Sequence, residues 1–278
     1  MSGVGARLEL EWNGAEFVPV TAGVPLEDRG FRYGLALFET LRISRGRALF
    51  ARDHLLTMYG SAYAVPFLGR QSKEAFVAAE RVLEDSSLLP ENGIARVHLT
   101  AGNGGFHETA DSPRFYLTAD SRTPPGPEVY ESGLRAMIYA DPVPTVAPWM
   151  KTHNYWGQLT ALRTARDDGF QEAVLTNPDG EVRSFCLGNL FIERKGQVLT
   201  PHLATSTCRS GVTRRWVLDE LGKVAQETRL TVEDLATADG VFLTSSWYGV
   251  LPVTRLGERE LPVTPRMRGL VEAFGKLL

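Results

Sequence analysis

The stretch PWMKTHNYWGQLTALRTARDDGF, Pro148 to Phe170, places Lys151 between a Pro-Trp-Met turn and a helical pattern, with Trp149, Tyr155 and Trp156 close by in sequence. An amine kept among aromatic rings is desolvated. Desolvation disfavours the ammonium form and leaves a nucleophile able to condense with an aldehyde. Read alone, the same residue also fits an ordinary lysine whose stem lies on a tryptophan face with its head in water. Two further stretches add chemistry. SGVTRRW, Ser210 to Trp216, puts Gly-Val-Thr at the opening of a helical pattern, where free backbone N–H groups and the helix dipole favour a phosphate. LTSSW ends an apolar run with Ser245 and Ser246, whose hydroxyls can hold an anion or cap a turn.

The elements that must position these groups are mixed. RLELEW alternates Leu8, Leu10 and Trp12, and Asn13-Gly14 turns it into EFVPV. LFETLRIS and RALFA form a second hairpin through Ser44-Arg45-Gly46. RDHLLTMYGSAYAV reads as a helix with Leu55, Leu56, Tyr59, Ala62 and Tyr63 on one stripe, and KEAFVAAERVLEDS as another helix. SRTPPGPEVYESG is rich in Pro and Gly and reads as a linker. The expected division is therefore a domain over 1–121, a linker over 122–132, and a second domain over 133–278 that carries the lysine and the phosphate loop. In that second half, Gly169 ends the helix after Lys151, and Lys195-Gly196 turns a hairpin. Thr231 caps a short helix, and Thr264-Pro265 opens the last one. Strands and helices mix without strict alternation, so the fold class is α+β.

Bulk properties narrow the function. The chain has 278 residues, 43% hydrophobic and 23% charged, with a net charge of -3, so no basic surplus points to nucleic acid. No apolar run is long enough to span a bilayer, and the first residues lack the form of a secretory signal, so a cytoplasmic enzyme without a membrane partner is expected. Cys186 and Cys208 have no metal-type spacing and the five histidines are scattered, so neither a disulfide framework nor a metal site is expected.

Taken in order, DRGFRYGLALFET (Asp28–Thr40), the Lys151 segment, GNLFIERKGQVLTP and SGVTRRWV resemble the fold-type IV pyridoxal-phosphate enzymes over nearly the whole chain. That group includes branched-chain and D-amino-acid aminotransferases and aminodeoxychorismate lyase. The resemblance implies two domains with the cofactor cleft between them, commonly in a homodimer, acting on amino acids and keto acids by transamination or by lyase chemistry. It implies that Lys151 forms the Schiff base with pyridoxal 5'-phosphate and carries the proton. It further implies that Val212, Thr213 and Ser246 contact the phosphate, and that Phe38, Trp247 and Tyr248 lie near the substrate.

Three positions depart from the pattern. Three residues beyond His54, Thr57 stands where the resemblance implies a phosphate-binding arginine; Arg52 and Arg209 are candidate substitutes. Ser184 stands where it implies a glutamate that keeps the pyridine nitrogen protonated. Ala101 stands where it implies a carboxylate-binding arginine, with His107 in the following Gly-rich loop as a candidate replacement or a plain surface residue. These departures leave open a second reading, a divergent member that has lost pyridoxal-phosphate binding and acts as a binding protein or a cofactor-independent enzyme.

Overall fold

The computed structural model describes residues 7–65, 72–108, 112–143, 147–204 and 208–278. These form two units. The first comprises the described residues through Pro124 together with Met150–Asn154 and Leu278; the second comprises Pro125–Trp149 and Tyr155–Leu277. The short segment bearing Lys151 thus packs with the first unit, whereas the sequence reading placed it in the C-terminal domain.

In the first unit the chain runs β1 (Leu8–Trp12), β2 (Phe17–Pro19), α1 (Arg29–Tyr33), β3 (Ala36–Ser44), β4 (Arg47–Ala48), α2 (Ala51–Tyr63), α3 (Lys73–Glu84), β5 (Asn92–Thr100) and β6 (Arg114–Ser121). Its strands form one antiparallel sheet in the order β2-β1-β6-β5-β3-β4. Period-two alternation sends Leu37, Leu41, Ile43, Val97, Leu99 and Leu117 into a core with Leu55 and Met58 of α2 and Phe76 and Leu83 of α3. Each such burial contributes about 1.5–3 kcal/mol relative to exposure. The same alternation puts Phe38, Thr40 and His98 on the opposite face.

The expected stripe on α2 is corrected. Leu56 is 58% and Tyr63 85% exposed, whereas His54 and Met58 are buried. The reason lies in β3: the inward Glu39 carboxylate lies 2.8 Å from His54 Nδ1, and this buried pair draws a polar residue to the core side of the helix.

The second unit continues with α4 (Pro127–Ser132), β7 (Leu134–Ile138), α5 (Trp156–Asp167), β8 (Glu172–Thr176), β9 (Val182–Phe185), β10 (Asn189–Arg194), β11 (Gln197–Pro201), α6 (Val212–Leu221), β12 (Ala225–Thr228), α7 (Val232–Ala236), β13 (Gly240–Ser245), β14 (Gly249–Leu256), β15 (Arg259–Glu260) and α8 (Pro265–Gly275). Helix α4 occupies part of the stretch read as linker. The sheet is mixed, in the order β12-β11-β10-β13-β14-β7-β8-β9, with β15 added on β14. Apolar residues of α6 and α8 pack with Phe191 and Phe242, whose rings stack 4.9 Å apart as a cross-strand pair. Ala161, Leu162 and Ala165 of α5 pack with Ala173 and Leu175 of β8. Thr231 forms a reciprocal capping box with Asp234, and Thr264 caps α8 ahead of Pro265, both as expected. No helix among the described residues is long and apolar enough to cross a membrane.

Candidate active site

Lys151 is held in place by backbone pairing. Phe38 N–H donates to Lys151 C=O at 2.9 Å, His153 N–H donates to Ala36 C=O at 3.1 Å, and Thr152 bridges Leu37 in antiparallel fashion. Residues 151–153 therefore behave as a short extra strand on the start of β3. Asn154 ends this segment by donating through Nδ2 to Gly34 C=O at 3.2 Å. Gly34 caps α1 with φ 69°, and a Cβ there would stand 2.4 Å from Asn154 Oδ1, so only glycine permits both the turn and the contact. Lys151 Nζ lies 3.4 Å from Thr40 Oγ1 and 4.6 Å from the centroid of the Phe38 ring. The expected aromatic neighbours are corrected: Trp149 is 57% and Trp156 87% exposed, and the ring over which the amine sits is Phe38. The chain has five lysines; Lys73, Lys195, Lys223 and Lys276 are exposed, while Lys151 is half-buried.

The DRGFRYG signature has a structural cause. Asp28 is fully buried; it caps α1 by accepting from Gly30 N–H at 2.7 Å and takes a second bond from the Thr100 hydroxyl at 2.7 Å. Arg29, 1% exposed, spends its guanidinium on the carbonyls of Ala101, Gly102 and Glu108. The loop after β5 is thereby tied to α1. His107 stands exposed on this loop, with its ring 5.0 Å from that of Phe106.

Thr57, on α2, is half-buried, and its hydroxyl donates to Asp53 C=O at 2.8 Å. Two residues that sequence reasoning missed join the Lys151 cluster. His98 pairs directly across from Phe38 on β5, and its Nδ1 lies 3.1 Å from His153 Nε2. The signal for His153 was its position two residues after Lys151 in an extended segment, which places both on one side. His98 gave no local signal.

The other candidates lie in the second unit. Gly211 precedes α6, whose first turn has no side-chain cap although Val212 and Thr213 are 4% and 3% exposed. A Cβ on Gly211 would stand 2.1 Å from Asn189 Oδ1, so any side chain here would displace the Asn189 amide. Asn189 Nδ2 holds the preceding turn by donating to Arg209 C=O at 2.7 Å. Ser246, Trp247 and Tyr248 form the three-residue connection between β13 and β14, half-buried, with Tyr248 N–H bonded to Ser245 Oγ at 3.3 Å and its carbonyl accepting from Tyr130. Two residues before Ser246, the buried Thr244 hydroxyl has no hydrogen-bond partner among the described residues. Ser184 is half-buried on β9, opposite Leu175. The turn that follows it is fixed by Glu172, which accepts from Cys186 and Leu187 N–H at 3.0 and 3.2 Å. Burial pushes the Glu172 carboxyl up, against the lowering effect of those bonds.

Burial, reinforced by His153, Arg96 and Lys151, takes the His98 imidazole down to about 4 from its ordinary 6.5. The unfolded chain therefore binds a proton as pH falls through 6.5, whereas the folded chain does so only near 4. This contribution to stability is complete above 6.5 and is lost on acidification through that window. Glu172 acts with the opposite sign, so the comparison must be made against a variant. His98→Val is expected to remove about 2 kcal/mol of the loss in stability between about pH 7.5 and about pH 4.5, measured as urea midpoints at each pH.

Against this geometry, the family model described as amino-transferase class IV matches residues 36–256. The chain is 25% identical over 238 residues to aminodeoxychorismate lyase of Bacillus subtilis, covering 83% of this chain and 80% of that protein. It is 27% identical over 274 residues to D-alanine aminotransferase of Listeria monocytogenes, covering 92% and 94%. Its fold matches the crystal structure of an aminotransferase from Brucella abortus bound to the cofactor pyridoxal phosphate, with a TM-score of 0.81, 22% identity, and coverage of 96% and 98%. With a family match running from the first residue of β3 to the last of β14, the chain belongs to the class IV aminotransferases, a family of pyridoxal-phosphate-dependent enzymes.

Proposed function

We propose that the protein acts on an amino acid or related amine through Lys151, with transamination as the principal reaction and lyase chemistry like that of aminodeoxychorismate lyase as the competing outcome. The observation that carries this reading is that one lysine of five is withdrawn from the surface and pinned by β3 over the Phe38 ring.

Two places in the chain, each taken by itself, suit groups of the cofactor. The buried, uncapped start of α6 suits an anionic phosphate, with Val212 and Thr213 holding it and Ser246 as the proposed further contact; the unused Thr244 hydroxyl two residues earlier supports a polar place at that strand end. Lys151 suits the aldehyde. When bound, pyridoxal phosphate supplies that aldehyde and a conjugated ring that stabilises negative charge on the carbon beside the amine. Lys151 would hold the cofactor at rest and, once freed by the incoming amine, serve as the base for the proton on that carbon. Thr40 Oγ1 orients the amine, and Phe38 shields it from water on one side. At the ring nitrogen, Ser184 would offer a hydroxyl, which exchanges hydrogen bonds but does not hold a proton there as a carboxylate would.

The second reading, loss of the cofactor, is favoured by one observation: the Thr57 hydroxyl is spent on its own helix, leaving that position without an anion-binding group. Retention of pyridoxal phosphate through desalting separates the two readings. A panel of D- and L-amino acids with and without keto acid acceptors then separates the chemistries. Turnover that requires an acceptor is expected; turnover without one favours the lyase outcome, and a loaded protein that turns over no amine contradicts the proposal. The free, buried Cys186 and Cys208 thiols are consistent with a cytoplasmic setting. The exposed Leu56 and Tyr63 of α2 are consistent with a homodimer.

A further inference from the structure

The Phe38 ring is the hub of a cluster that the reading above uses only in part. Lys151 Nζ lies 4.6 Å from its centroid. The His98 ring lies nearly parallel to it, at 6.0 Å and 13°, and the His153 ring stands edge-on, at 5.6 Å and 71°. His98 is half-buried, and His153 opens to solvent. Their contact, Nδ1 to Nε2 at 3.1 Å, occupies one nitrogen of each ring. The outer nitrogens, His98 Nε2 and His153 Nδ1, have no partner among the described residues.

The chemistry of such a pair is constrained. In a neutral pair one ring must donate across the contact and the other accept. If His98 donates, its outer nitrogen is an acceptor and that of His153 carries a hydrogen; if His153 donates, the roles exchange. The pair therefore always presents one donor and one acceptor, and a tautomer shift swaps them without any change in charge. Burial disfavours the protonated form of both His98 and His153, which favours an uncharged pair near neutral pH. An aliphatic group against it would leave the outer nitrogen of the half-buried His98 unpaired, and a carboxylate could use only the donor end of the pair. A group that both donates and accepts matches it in either tautomer.

We infer that His98 and His153 are specificity-determining residues that receive an uncharged polar side chain, a hydroxyl or a carboxamide, on the amine substrate held at Lys151. The inference rests on the assignment of Lys151 as the cofactor lysine.

The test uses the protein loaded with pyridoxal phosphate and compares kcat/KM for serine, asparagine and glutamine with that for alanine, valine and leucine and for aspartate and glutamate, in both configurations. The wild type should favour the hydroxyl and carboxamide members by roughly tenfold to a hundredfold over the aliphatic ones. The double variant His98→Val, His153→Leu should lose that preference, so that the ratio of polar to aliphatic kcat/KM falls to about one. Borohydride should fix the cofactor to Lys151 in the double variant as in wild type. His98→Gln, which restores a donor and an acceptor, should retain part of the preference. A second readout needs no cofactor: imidazole nitrogen spectra of the free protein at neutral pH should show two neutral rings, with the His153 resonances moved by His98→Val.

An aliphatic or carboxylate preference in the wild type overturns the inference, as does a ranking unchanged in the double variant. Failure to trap cofactor on Lys151 in the wild type instead removes the underlying assignment, and the inference falls with it. The trapping result thus tells the two failures apart.

Discussion

Lys151→Ala is expected to abolish the trapped cofactor adduct and to lower turnover of any accepted amine by about 10³-fold or more, because under the proposed assignment Lys151 is both the nucleophile and the base. Folding should survive, since what fixes the segment is backbone: the Phe38 and His153 N–H bonds and the Asn154 contact with Gly34 remain. The stability lost with the amine over the Phe38 ring is about 0.5–1 kcal/mol. Lys151→Arg provides the control. It keeps a cation over Phe38 but has no amine that can condense with an aldehyde, so it should fold like wild type and be as inactive as the alanine variant. Circular dichroism and urea midpoints report the fold, and the half-reaction with amino acid reports the chemistry. Activity retained in the arginine variant would mean that the cluster acts through charge alone.

The pair Thr57→Arg and Ser184→Glu is expected to work in the opposite direction. Thr57 is half-buried on α2, where its hydroxyl satisfies only Asp53 C=O. If this position meets the phosphate as the family resemblance implies, an arginine there would add a charged donor worth about 1.5–3 kcal/mol, or a gain in cofactor affinity of roughly tenfold to a few hundredfold. Ser184 is half-buried on β9 beside a turn fixed by Glu172, so that turn does not depend on the Ser184 side chain. A glutamate at this position would hold a proton on the ring nitrogen and should speed exchange of the substrate α-proton with solvent. Cofactor affinity by fluorescence quenching reports the first change, and deuterium uptake into the amino acid reports the second. Affinity unchanged in Thr57→Arg would show that α2 does not face the phosphate; exchange unchanged in Ser184→Glu would show that β9 does not face the ring.

Local turn chemistry was the most legible part of the fold. Arg45-Gly46 and Lys195-Gly196 take positive φ in two-residue hairpin turns, and Gly169 takes φ 82° where the helix after Lys151 ends. Such conformations favour glycine, so sequence and structure agree. The helix caps at Thr231 and Thr264 were readable for the same local reason. The phase of α2 was not, because the buried Glu39–His54 pair is set by a partner on another element.

The same holds for the cluster at Lys151. Its neighbours in sequence, Trp149 and Trp156, turn outward, while Phe38, Thr40 and His98 arrive from β3 and β5. Two backbone bonds to β3 draw Met150–Asn154 into the first unit, and a long-range pairing of that kind leaves no periodicity in the chain. The Gly211-Val212-Thr213 helix start was legible from residue type, but the Asn189 amide that fixes its entry was not.

The most direct test of the central claim is reduction of the pyridoxal-phosphate-treated protein with borohydride, followed by peptide mass mapping. The expected result is a single stoichiometric modification on the peptide carrying Lys151, with the exposed Lys73, Lys195, Lys223 and Lys276 unmodified. A label spread over those four, or no label at all, would contradict it.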